Sequence, residues 1–364
     1  MLTIVLAVVV LTGVFVLLSA LLLVAERSLK NYGECTVTVN GGSVALALPG
    51  GGTLLKALTD KKIFIPSACG GKSSCGYCKV TVTKGGGPIL PTEVPFMSRA
   101  EVRSGVRLAC QVKVKSDLDV SFSEVLLSVK EFRGRVSGLK ALTHDMREVT
   151  VQLLDPTEIS FRPGQYIQIQ APSPEGPVFR AYSISSPVHE KHLIQLVVRL
   201  VPGGIVSTYI HGLHEGDEVS FTGAYGEFRL SEDPNVPVVC IGGGAGMAPI
   251  SCILATVTRT WPDRSCYLFF GCRSTKDVFY LERFAELAKK HPSFHVSYAL
   301  SDPLTPQESW SGDTGFIHLS VDKRLAGDGR SQAFLCGPPP MIEAVTEVLK
   351  NKGLRNEDIF YDKF

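Results

Sequence analysis

Four cysteines form the most specific chemical pattern in this sequence. Three fall in one loop with the spacing Cys-x5-Cys-x2-Cys, and the fourth lies 32 positions further on: Cys69, Cys75, Cys78 and Cys110. Two irons bridged by two sulfides need four thiolate ligands, and one loop can wrap such a cluster only when the residues between its cysteines are small. Glycine and serine fill most of these gaps, so the pattern predicts a [2Fe–2S] cluster.

Other interpretations of these cysteines are weaker. Structural zinc usually takes two Cys-x2-Cys pairs, and this region has one. Disulfides are disfavoured on the cytoplasmic side of a membrane, and unrelated buried thiols would not gather in one loop rich in glycine and serine. The plant-type spacing is Cys-x4-Cys-x2-Cys. The first gap is one residue longer here. This difference indicates another subfamily more than another type of cluster.

A second group of residues suits a flavin dinucleotide. Arg180 can pair with a pyrophosphate, Tyr182 offers a ring beside the flavin, and Ser183 offers a hydroxyl near flavin N5. The run Gly203-Gly204-Ile-Val-Ser207 then opens a short helix whose N–H groups can face phosphate. Each segment alone is weak evidence, and their order along the chain carries the prediction. The cofactor-binding residues predicted at the end of this region are Tyr225 and Gly226.

A glycine-rich turn after a buried apolar strand predicts a nucleotide site. The strand at 236–241 leads into Gly-Gly-Gly-Ala-Gly-Met-Ala-Pro, and an apolar helix follows from Ile250. A strand, a glycine turn and a helix N-terminus together form a cradle for phosphate. Met247 stands where Gly-x-Gly-x-x-Gly has its third glycine, so the plain Rossmann motif is not matched. The predicted contacts are Gly242, Gly243, Gly244, Gly246, Met247 and Pro249.

Two later strands end in residues that could complete this site. One strand leads to Arg273, and another leads to the run Cys336-Gly337-Pro338. Because the carboxyl ends of parallel strands meet at one edge of a sheet, we expect these residues to lie near the glycine turn. Arg273, Ser274 and Lys276 could cradle a 2′-phosphate, and no acidic residue is placed like the usual ribose clamp. The residues alone therefore do not decide whether the coenzyme is NADH or NADPH.

The predicted secondary structure that positions these groups differs between three parts of the chain. Short strands and a short helix beginning near Thr53 occupy residues 31–128. Apolar residues with a period of two dominate 129–235 and predict an antiparallel barrel or sandwich. Strands and helices alternate in 236–364, which predicts a parallel α/β domain. The predicted fold class is therefore multidomain, α+β and α/β, and 364 residues suffice for it.

Residues 1–30 predict a single transmembrane anchor. Residues 2–25 are uncharged and almost wholly aliphatic, and as a helix they span about 36 Å, enough to cross a hydrocarbon core of about 30 Å with some tilt. A cleaved signal peptide is disfavoured because no Lys or Arg precedes this long run. Arg27 and Lys30 follow it, so the positive-inside rule puts the remaining domains in the cytoplasm. The net charge of +2 argues against a nucleic-acid partner.

The order of these segments resembles the ferredoxin–NADP reductase superfamily with an N-terminal ferredoxin domain, and most closely the F subunits of sodium-translocating NADH:quinone reductases. The resemblance implies a β-grasp ferredoxin domain, an antiparallel barrel that binds FAD and a domain that binds NADH. The strings that carry it are Ser67-Ala-Cys69-Gly-Gly, Gly85-Gly-Gly87-Pro-Ile-Leu-Pro-Thr-Glu93, Arg107-Leu-Ala-Cys110-Gln-Val and Ile241-Gly-Gly-Gly-Ala-Gly-Met-Ala-Pro249.

The same resemblance implies roles for single residues. Cys336 would lie near the reactive nicotinamide carbon as a positioning group, Ser183 would act at the flavin, and the ring of Phe364 would lie over the flavin face. The implied FAD contacts are Arg180, Tyr182, Ser183, Gly204, Ser207 and Thr208.

The activity implied by this resemblance is hydride transfer from NADH to FAD. Single electrons then pass to the [2Fe–2S] cluster and on to integral-membrane subunits of a quinone reductase complex in the bacterial inner membrane. An NADH-dependent reductase component of an oxygenase would use the same three modules. It remains the alternative, and the predicted anchor argues against it.

Overall fold

The computed structural model describes residues 2–29, 32–67, 69–174, 176–226, 228–327 and 329–363. Its internal contacts divide the chain into two units, unit 1 (Met1–Ser128) and unit 2 (Val129–Phe364). Buried apolar residues cluster separately within each unit, so each is built around its own hydrophobic core.

The N-terminal segment is one continuous helix, α1 (Leu2–Leu29). Its window Ile4–Leu21 has a mean hydropathy of 3.0 and is long and apolar enough to cross a membrane. Within the described part of the chain, it is the one helix that meets this criterion. Apolar side chains along it, such as Leu11 and Phe15, are exposed, and an apolar surface of this length is suited to a lipid environment.

Unit 1 also contains a five-stranded mixed sheet. Thr53 begins the first helix of this sheet region as predicted, because its side-chain oxygen accepts the N–H of Lys56 at 3.3 Å. Leu54 and Leu58 of that helix are fully buried in the core of unit 1. The elements are β1 (Glu34–Val39), β2 (Val44–Pro49), α2 (Leu54–Asp60), β3 (Lys79–Lys84), α3 (Arg99–Arg103), β4 (Val106–Leu108) and β5 (Leu118–Ser121). Their strand order is β2-β1-β5-β3-β4; the β1–β5 pair is parallel and the others are antiparallel.

Unit 2 begins with a six-stranded antiparallel sheet. The elements are β6 (Lys130–Ala141), β7 (Met146–Asp155), β8 (Tyr166–Ala171), β9 (Val178–Ser183), β10 (Leu193–Arg199), α4 (Ile205–His211) and β11 (Glu218–Tyr225). The strand order is β10-β7-β6-β11-β8-β9, and every pair is antiparallel. Ile184, directly after β9, forms a bridge with Leu196 of β10, so the two edge strands of the sheet meet at that point.

The rest of unit 2 is a parallel sheet with helices, as the alternating pattern predicts. The elements are β12 (Val238–Gly243), α5 (Met247–Thr260), β13 (Cys266–Cys272), α6 (Leu281–Lys290), β14 (Phe294–Leu300), β15 (Asp313–Thr314), α7 (Ile317–Arg324), β16 (Gln332–Gly337), α8 (Pro339–Asn351) and β17 (Ile359–Lys363). The strand order is β15-β14-β13-β12-β16-β17, parallel throughout. The chain therefore reverses its direction across the sheet between β12 and β16, the place where open α/β sheets bind ligands.

Helices cover both faces of this parallel sheet. Val238 of β12 lies in a core with residues of α5 and α6, whereas Val239 lies in a core with residues of α7 and α8. Met146 and Val197 of the antiparallel sheet are buried in the first of these cores. The two parts of unit 2 therefore share buried side chains.

Candidate functional site

The four predicted cluster cysteines lie together in unit 1. Cys69, Cys75 and Cys78 come from the loop that ends at β3, and Cys110 follows β4, the strand paired with β3. The Cys75 thiol donates a hydrogen bond to Cys69 Sγ at 3.3 Å, and Cys78 donates one to Cys110. A charge interaction between Cys75 and Cys78 links these two pairs. The thiols thus form one group made of two pairs.

Hydrogen bonds give the thiols of each pair different pKa values. Burial acts to raise the pKa of Cys69, but hydrogen bonds within the loop bring it down to about 7. The hydrogen bond from Cys78, together with one from Ser73, lowers the pKa of Cys110 to about 6 against the effect of burial. The bond to Cys110 and burial raise the pKa of Cys78. One member of each pair therefore favours the thiolate form, which is the form that binds metal.

This arrangement fits a [2Fe–2S] cluster, because the two pairs of thiols would together supply the four thiolate ligands that such a cluster needs. Gly76 has a φ of +71°, and a Cβ there would lie 2.7 Å from the Phe96 ring, so only glycine suits this position in the loop.

A buried ion pair holds the segment that carries Cys110. Arg107 and Glu93 are 6% and 0% exposed, and Nη2 of Arg107 lies 2.6 Å from Oε2 of Glu93. Other guanidinium donors bind the carbonyls of residues 86–88. Glu93 Oε1 also accepts the N–H of Leu108 at 2.9 Å. The pair therefore ties this loop to the strand that leads to the fourth cysteine.

The predicted flavin residues lie on β9. Arg180, Tyr182 and Ser183 are half-buried, and Ser183 pairs with Tyr166 of β8. Arg180 donates from Nη1 to the carbonyl of Phe179 at 2.7 Å, which uses one of the five donors of its guanidinium. Burial raises the pKa of Tyr182 to about 12, although the Arg180 charge acts in the opposite direction. The Tyr182 phenol is therefore neutral at physiological pH.

The predicted residues at the start of α4 differ in exposure. Ser207 is buried, and its hydroxyl contacts the carbonyls of Val201 and Gly204 at 3.4 and 3.3 Å and accepts the Val201 N–H at 3.2 Å. The Ser207 hydroxyl therefore holds the turn before the helix. Thr208, at the next position, is exposed.

Tyr225 and Gly226 lie at the end of β11. Tyr225 is buried, its ring stacks on Tyr166 with a centroid distance of 5.5 Å, and its hydroxyl donates to Thr222 at 2.8 Å. The ring and hydroxyl of Tyr225 are therefore engaged within the protein. Gly226 follows with a φ of +106°, and a Cβ there would lie 3.3 Å from the Tyr166 ring.

The predicted nucleotide turn lies at the switch point of the parallel sheet. It follows β12 through Gly244–Gly246 and leads into α5, whose buried first turn includes Met247 and Pro249. A Cβ at Gly242 would lie 2.4 Å from Met247 Sδ, whereas a Cβ at Gly244 would meet no atom within 4 Å. The turn is therefore tightly packed on the helix side and open at Gly244, where a phosphate could approach backbone N–H groups.

Cys336 lies beside this turn on the neighbouring strand. It pairs with Gly242 of β12 on one side and with Asp362 of β17 on the other. Burial and the Asp362 charge raise the pKa of the Cys336 thiol well above its ordinary value, and burial raises the pKa of Asp362 to about 6. A protonated, buried thiol is not a nucleophile. Gly337 and the exposed Pro338 continue this strand end into α8.

Three family models match successive parts of the chain. The 2Fe-2S iron-sulfur cluster binding domain matches residues 37–115, the oxidoreductase FAD-binding domain matches 133–230, and the oxidoreductase NAD-binding domain matches 240–347. The three predicted cofactor classes are confirmed by these domains.

Similarity to known proteins extends over the whole chain. The F subunit of the Na(+)-translocating NADH-quinone reductase from Neisseria meningitidis is 38% identical over 404 aligned positions, which cover 99% of this chain and 99% of the relative. The chain belongs to this F-subunit family. The corresponding subunits of Actinobacillus succinogenes and Klebsiella pneumoniae are 37% and 35% identical, with 97% and 99% of each chain covered. The resemblance seen in the sequence is thus confirmed.

Two solved structures match this member of the F-subunit family over 91% of its length. A cytochrome P450 reductase from Amycolatopsis has a TM-score of 0.73 at 31% identity, with 98% of that chain covered. The ferredoxin reductase in carbazole 1,9a-dioxygenase has a TM-score of 0.69 at 26% identity, with 99% covered. The chain therefore has a ferredoxin-reductase-like fold.

Two residues at the carboxyl edge of the parallel sheet were not singled out from the sequence. Asp302 follows β14, and its N–H donates to the carbonyl of the exposed Arg273 at 2.8 Å. Phe316 follows β15, in which Thr314 pairs with Leu300 of β14, and it is 66% exposed. Asp302 is therefore an acidic residue close to Arg273, and a role for it as a ribose clamp is proposed below. Asp302 lies two positions after β14 in the sequence, but only the sheet order makes that strand the neighbour of β13.

One predicted site residue cannot be compared with the structure. Phe364 lies outside the described residues, which end at Lys363. Its position over the flavin stays a prediction.

Proposed function

We propose that this chain is the electron-input subunit of a Na(+)-translocating NADH-quinone reductase, oxidising NADH and delivering single electrons to membrane partners. When bound, FAD accepts a hydride and releases electrons singly, and the [2Fe–2S] cluster carries one electron at a time. The observation that carries the proposal is the combination, in one chain, of four thiols in two pairs and an open glycine turn at the switch point of a parallel sheet. The glycine turn and the thiol group would be the two ends of the proposed electron path from NADH to the cluster.

We propose a four-domain organisation for this function. The parallel β1–β5 pair, flanked by antiparallel strands and covered by α2, supports a β-grasp ferredoxin domain. The bridge between Ile184 and Leu196 supports closure of the antiparallel sheet into a barrel. The proposed domains are a transmembrane anchor (1–30), the ferredoxin domain (31–128), the FAD-binding barrel (129–235) and the NADH-binding domain (236–364).

The residues proposed to bind FAD act by charge and hydrogen bonding. The Arg180 guanidinium would pair with the pyrophosphate, the neutral Tyr182 phenol would lie beside the flavin, and the Ser183 hydroxyl would hold a hydrogen bond at N5. The exposed Thr208 would add a hydroxyl at the phosphates. The buried Ser207 would act indirectly, by holding the turn.

The residues proposed to bind the coenzyme line the carboxyl edge of the parallel sheet. The open backbone at Gly244 and the exposed Arg273 side chain would receive the pyrophosphate. The buried Cys336 would fix the nicotinamide end by its bulk, without acting as a nucleophile. Phe364 would lie over the flavin face and move aside when NADH binds.

Asp302 and Phe316 support NADH as the preferred coenzyme. A carboxylate at a strand end can accept hydrogen bonds from ribose hydroxyls and repels a 2′-phosphate. The exposed Phe316 ring, on the adjacent loop, offers a face on which adenine can stack. We propose that these two groups favour NADH although Arg273 is positively charged.

We propose that α1 anchors the chain in the inner membrane, with the other domains in the cytoplasm beside integral-membrane quinone-reductase subunits. The helix length and apolar composition support the anchor, and Arg27 and Lys30 support the orientation. Removal of residues 1–25 should yield an NADH dehydrogenase that no longer reduces membrane quinone. Full quinone reduction by this truncated protein would contradict the anchoring role.

A cysteine substitution tests the order of electron transfer. In Cys75→Ala, the cluster absorbance and its EPR signal should disappear, whereas NADH should still reduce the flavin and ferricyanide, because hydride transfer precedes the cluster. Cys35→Ala is the matched control, since Cys35 is a buried cysteine of unit 1 outside the cluster group. Loss of NADH–ferricyanide activity with flavin still bound in Cys75→Ala would contradict the proposed order.

A reductase component of an oxygenase is the second candidate function. The similarity to the P450 reductase and to the carbazole dioxygenase reductase favours it, because both match 91% of the chain. NADH-driven quinone reduction should be measured in membranes that contain this chain, with and without the neighbouring membrane subunits. Quinone reduction that depends on those subunits supports the first function, and its absence favours the second.

A further inference from the structure

Three side chains of unit 1 form a hydrogen-bonded series that ends at the sulfur of Cys110. The Thr92 hydroxyl donates to Oε1 of Gln111 at 2.8 Å. Nε2 of Gln111 donates to the Ser73 hydroxyl oxygen and to the carbonyl of Cys110, the latter at 3.2 Å. The Ser73 hydroxyl in turn lies 3.6 Å from Cys110 Sγ. The series runs from an exposed threonine to a buried predicted cluster ligand.

The chemistry of the partners determines the direction of each bond. The carbonyl of Cys110 can only accept, so the amide atom that faces it must be the Gln111 nitrogen. Oε1 then faces Thr92 and accepts its hydroxyl hydrogen. One N–H group of Gln111 donates to the Ser73 oxygen, and the amide nitrogen also faces the Cys110 carbonyl. The Gln111 side chain and the Ser73 backbone N–H interact with the Cys110 sulfur as well.

The Ser73 hydrogen is therefore left for the sulfur. Since the Ser73 oxygen accepts from Gln111, its own hydrogen points away from the amide, and Cys110 Sγ lies within reach. A cysteine sulfur bound to iron carries no proton and can only accept. Cys110 is 4% exposed, and a hydrogen bond shielded from water is electrostatically stronger than an exposed one.

We propose that Gln111 and Thr92 are positioning residues that aim the Ser73 hydroxyl at Cys110 Sγ and thereby raise the reduction potential of the cluster. This inference rests on the proposed ligation of a [2Fe–2S] cluster by the four cysteines. A hydrogen bond to a ligand sulfur stabilises the reduced cluster more than the oxidised one, because reduction adds negative charge to the sulfurs. Without Thr92, the Gln111 amide loses the bond to its oxygen and is held only by the Cys110 carbonyl and Ser73, so it fixes the Ser73 hydroxyl less firmly.

The test is a mediated redox titration of the full chain with its cluster. The EPR signal of the reduced cluster measures how much of the cluster is reduced at each potential. In Ser73→Ala, the one-electron equilibrium should shift about tenfold toward the oxidised form, which is about 59 mV to more negative potential. Thr92→Val should shift the potential in the same direction by a smaller amount. Thr92→Ser keeps the hydroxyl and should leave the potential unchanged.

A second readout and a control separate this effect from a change in folding. Pulsed EPR in D₂O should detect exchangeable deuterons near the cluster, and the contribution of the Ser73 hydroxyl should weaken in Thr92→Val and be lost in Ser73→Ala, while that of the backbone N–H groups remains. Thr83→Val is the control, since the Thr83 hydroxyl donates to the carbonyl of Asp119 on the sheet at 3.3 Å. It should change neither the potential nor the deuteron signal.

The outcomes distinguish this inference from the proposed function. Equal potentials in Thr92→Val, Thr92→Ser and the unaltered chain, with the EPR signal intact, would overturn the inference alone. Absence of any [2Fe–2S] signal in the unaltered chain would overturn the proposed function and this inference with it. If Ser73→Ala does not retain its cluster, the comparison of Thr92→Val with Thr92→Ser still tests the inference, because Thr92 is exposed.

Discussion

Replacement of Arg107 by methionine should lower the free energy of unfolding of unit 1 by about 3–5 kcal/mol, the usual effect of removing one partner of a buried ion pair. Methionine fills much of the same space but has no donors. Glu93, which is 0% exposed, would lose bonds from Nε and Nη2 of Arg107 at 2.6–3.1 Å. It would keep the N–H groups of Leu90 and Leu108, which do not neutralise its charge.

Urea unfolding followed by the visible absorbance of the cluster measures this loss. With a denaturant slope of about 1–3 kcal/mol per molar urea, the midpoint should fall by about 1–5 M. Arg103→Met is the matched control, because Arg103 is exposed on the same unit, and it should change stability by about 0.5 kcal/mol or less. A midpoint for Arg107→Met equal to that of Arg103→Met would refute the reasoning.

The pH dependence tests whether the loss is electrostatic. Burial acts to raise the pKa of Glu93, but Arg107 and the backbone N–H groups hold it below its ordinary value. Glu93 is therefore ionised in the folded and unfolded protein between about pH 5 and 8, and the contribution of the intact pair is constant there.

In Arg107→Met, burial without the guanidinium raises the Glu93 pKa, so the folded variant binds a proton that the unfolded chain does not. The stability deficit should shrink as pH falls from 8 to 5, by at most about 1.4 kcal/mol per pH unit. A deficit that is constant over this range would assign the loss to packing instead of charge. The double variant Arg107→Met/Glu93→Leu should recover much of the stability, because no buried charge remains.

Three further substitutions test unit 2. Asp302→Ala should lower the ratio of kcat/KM for NADH to that for NADPH about tenfold, the scale of one charge-assisted hydrogen bond; an unchanged ratio would remove Asp302 from the coenzyme site. Asp362→Asn should raise the free energy of unfolding at pH 7.5 by about 1–3 kcal/mol, because the folded pKa of about 6 exceeds the unfolded value and ionisation destabilises the fold. That gain should vanish below about pH 3, where aspartate is protonated in both states, and an equal gain in urea titrations at both pH values would exclude this cause. Arg180→Gln should weaken FAD binding about 10- to 100-fold in a flavin fluorescence titration; unchanged affinity would show that Arg180 does not contact the pyrophosphate.

Features defined by neighbouring residues were predictable from the sequence alone. The cap of α2 at Thr53 depends on a hydrogen bond between residues three apart, and the structure confirms it. The parallel sheet follows from strands and helices in alternation, and the order of the three cofactor domains is confirmed by the family models. The spacing of Cys69, Cys75 and Cys78 is likewise local.

Only the tertiary structure decided which distant residues meet. Glu93 and Arg107 are 14 positions apart, and neither has a local motif that marks it as buried. The sequence does not show that the Tyr225 ring stacks on Tyr166 or that its hydroxyl bonds to Thr222. Asp302 lies beside Arg273 because β14 lies next to β13. The physical reason is that capping and ligand spacing depend on neighbours along the chain, whereas burial and charge pairing depend on strand order, which no short stretch of sequence encodes.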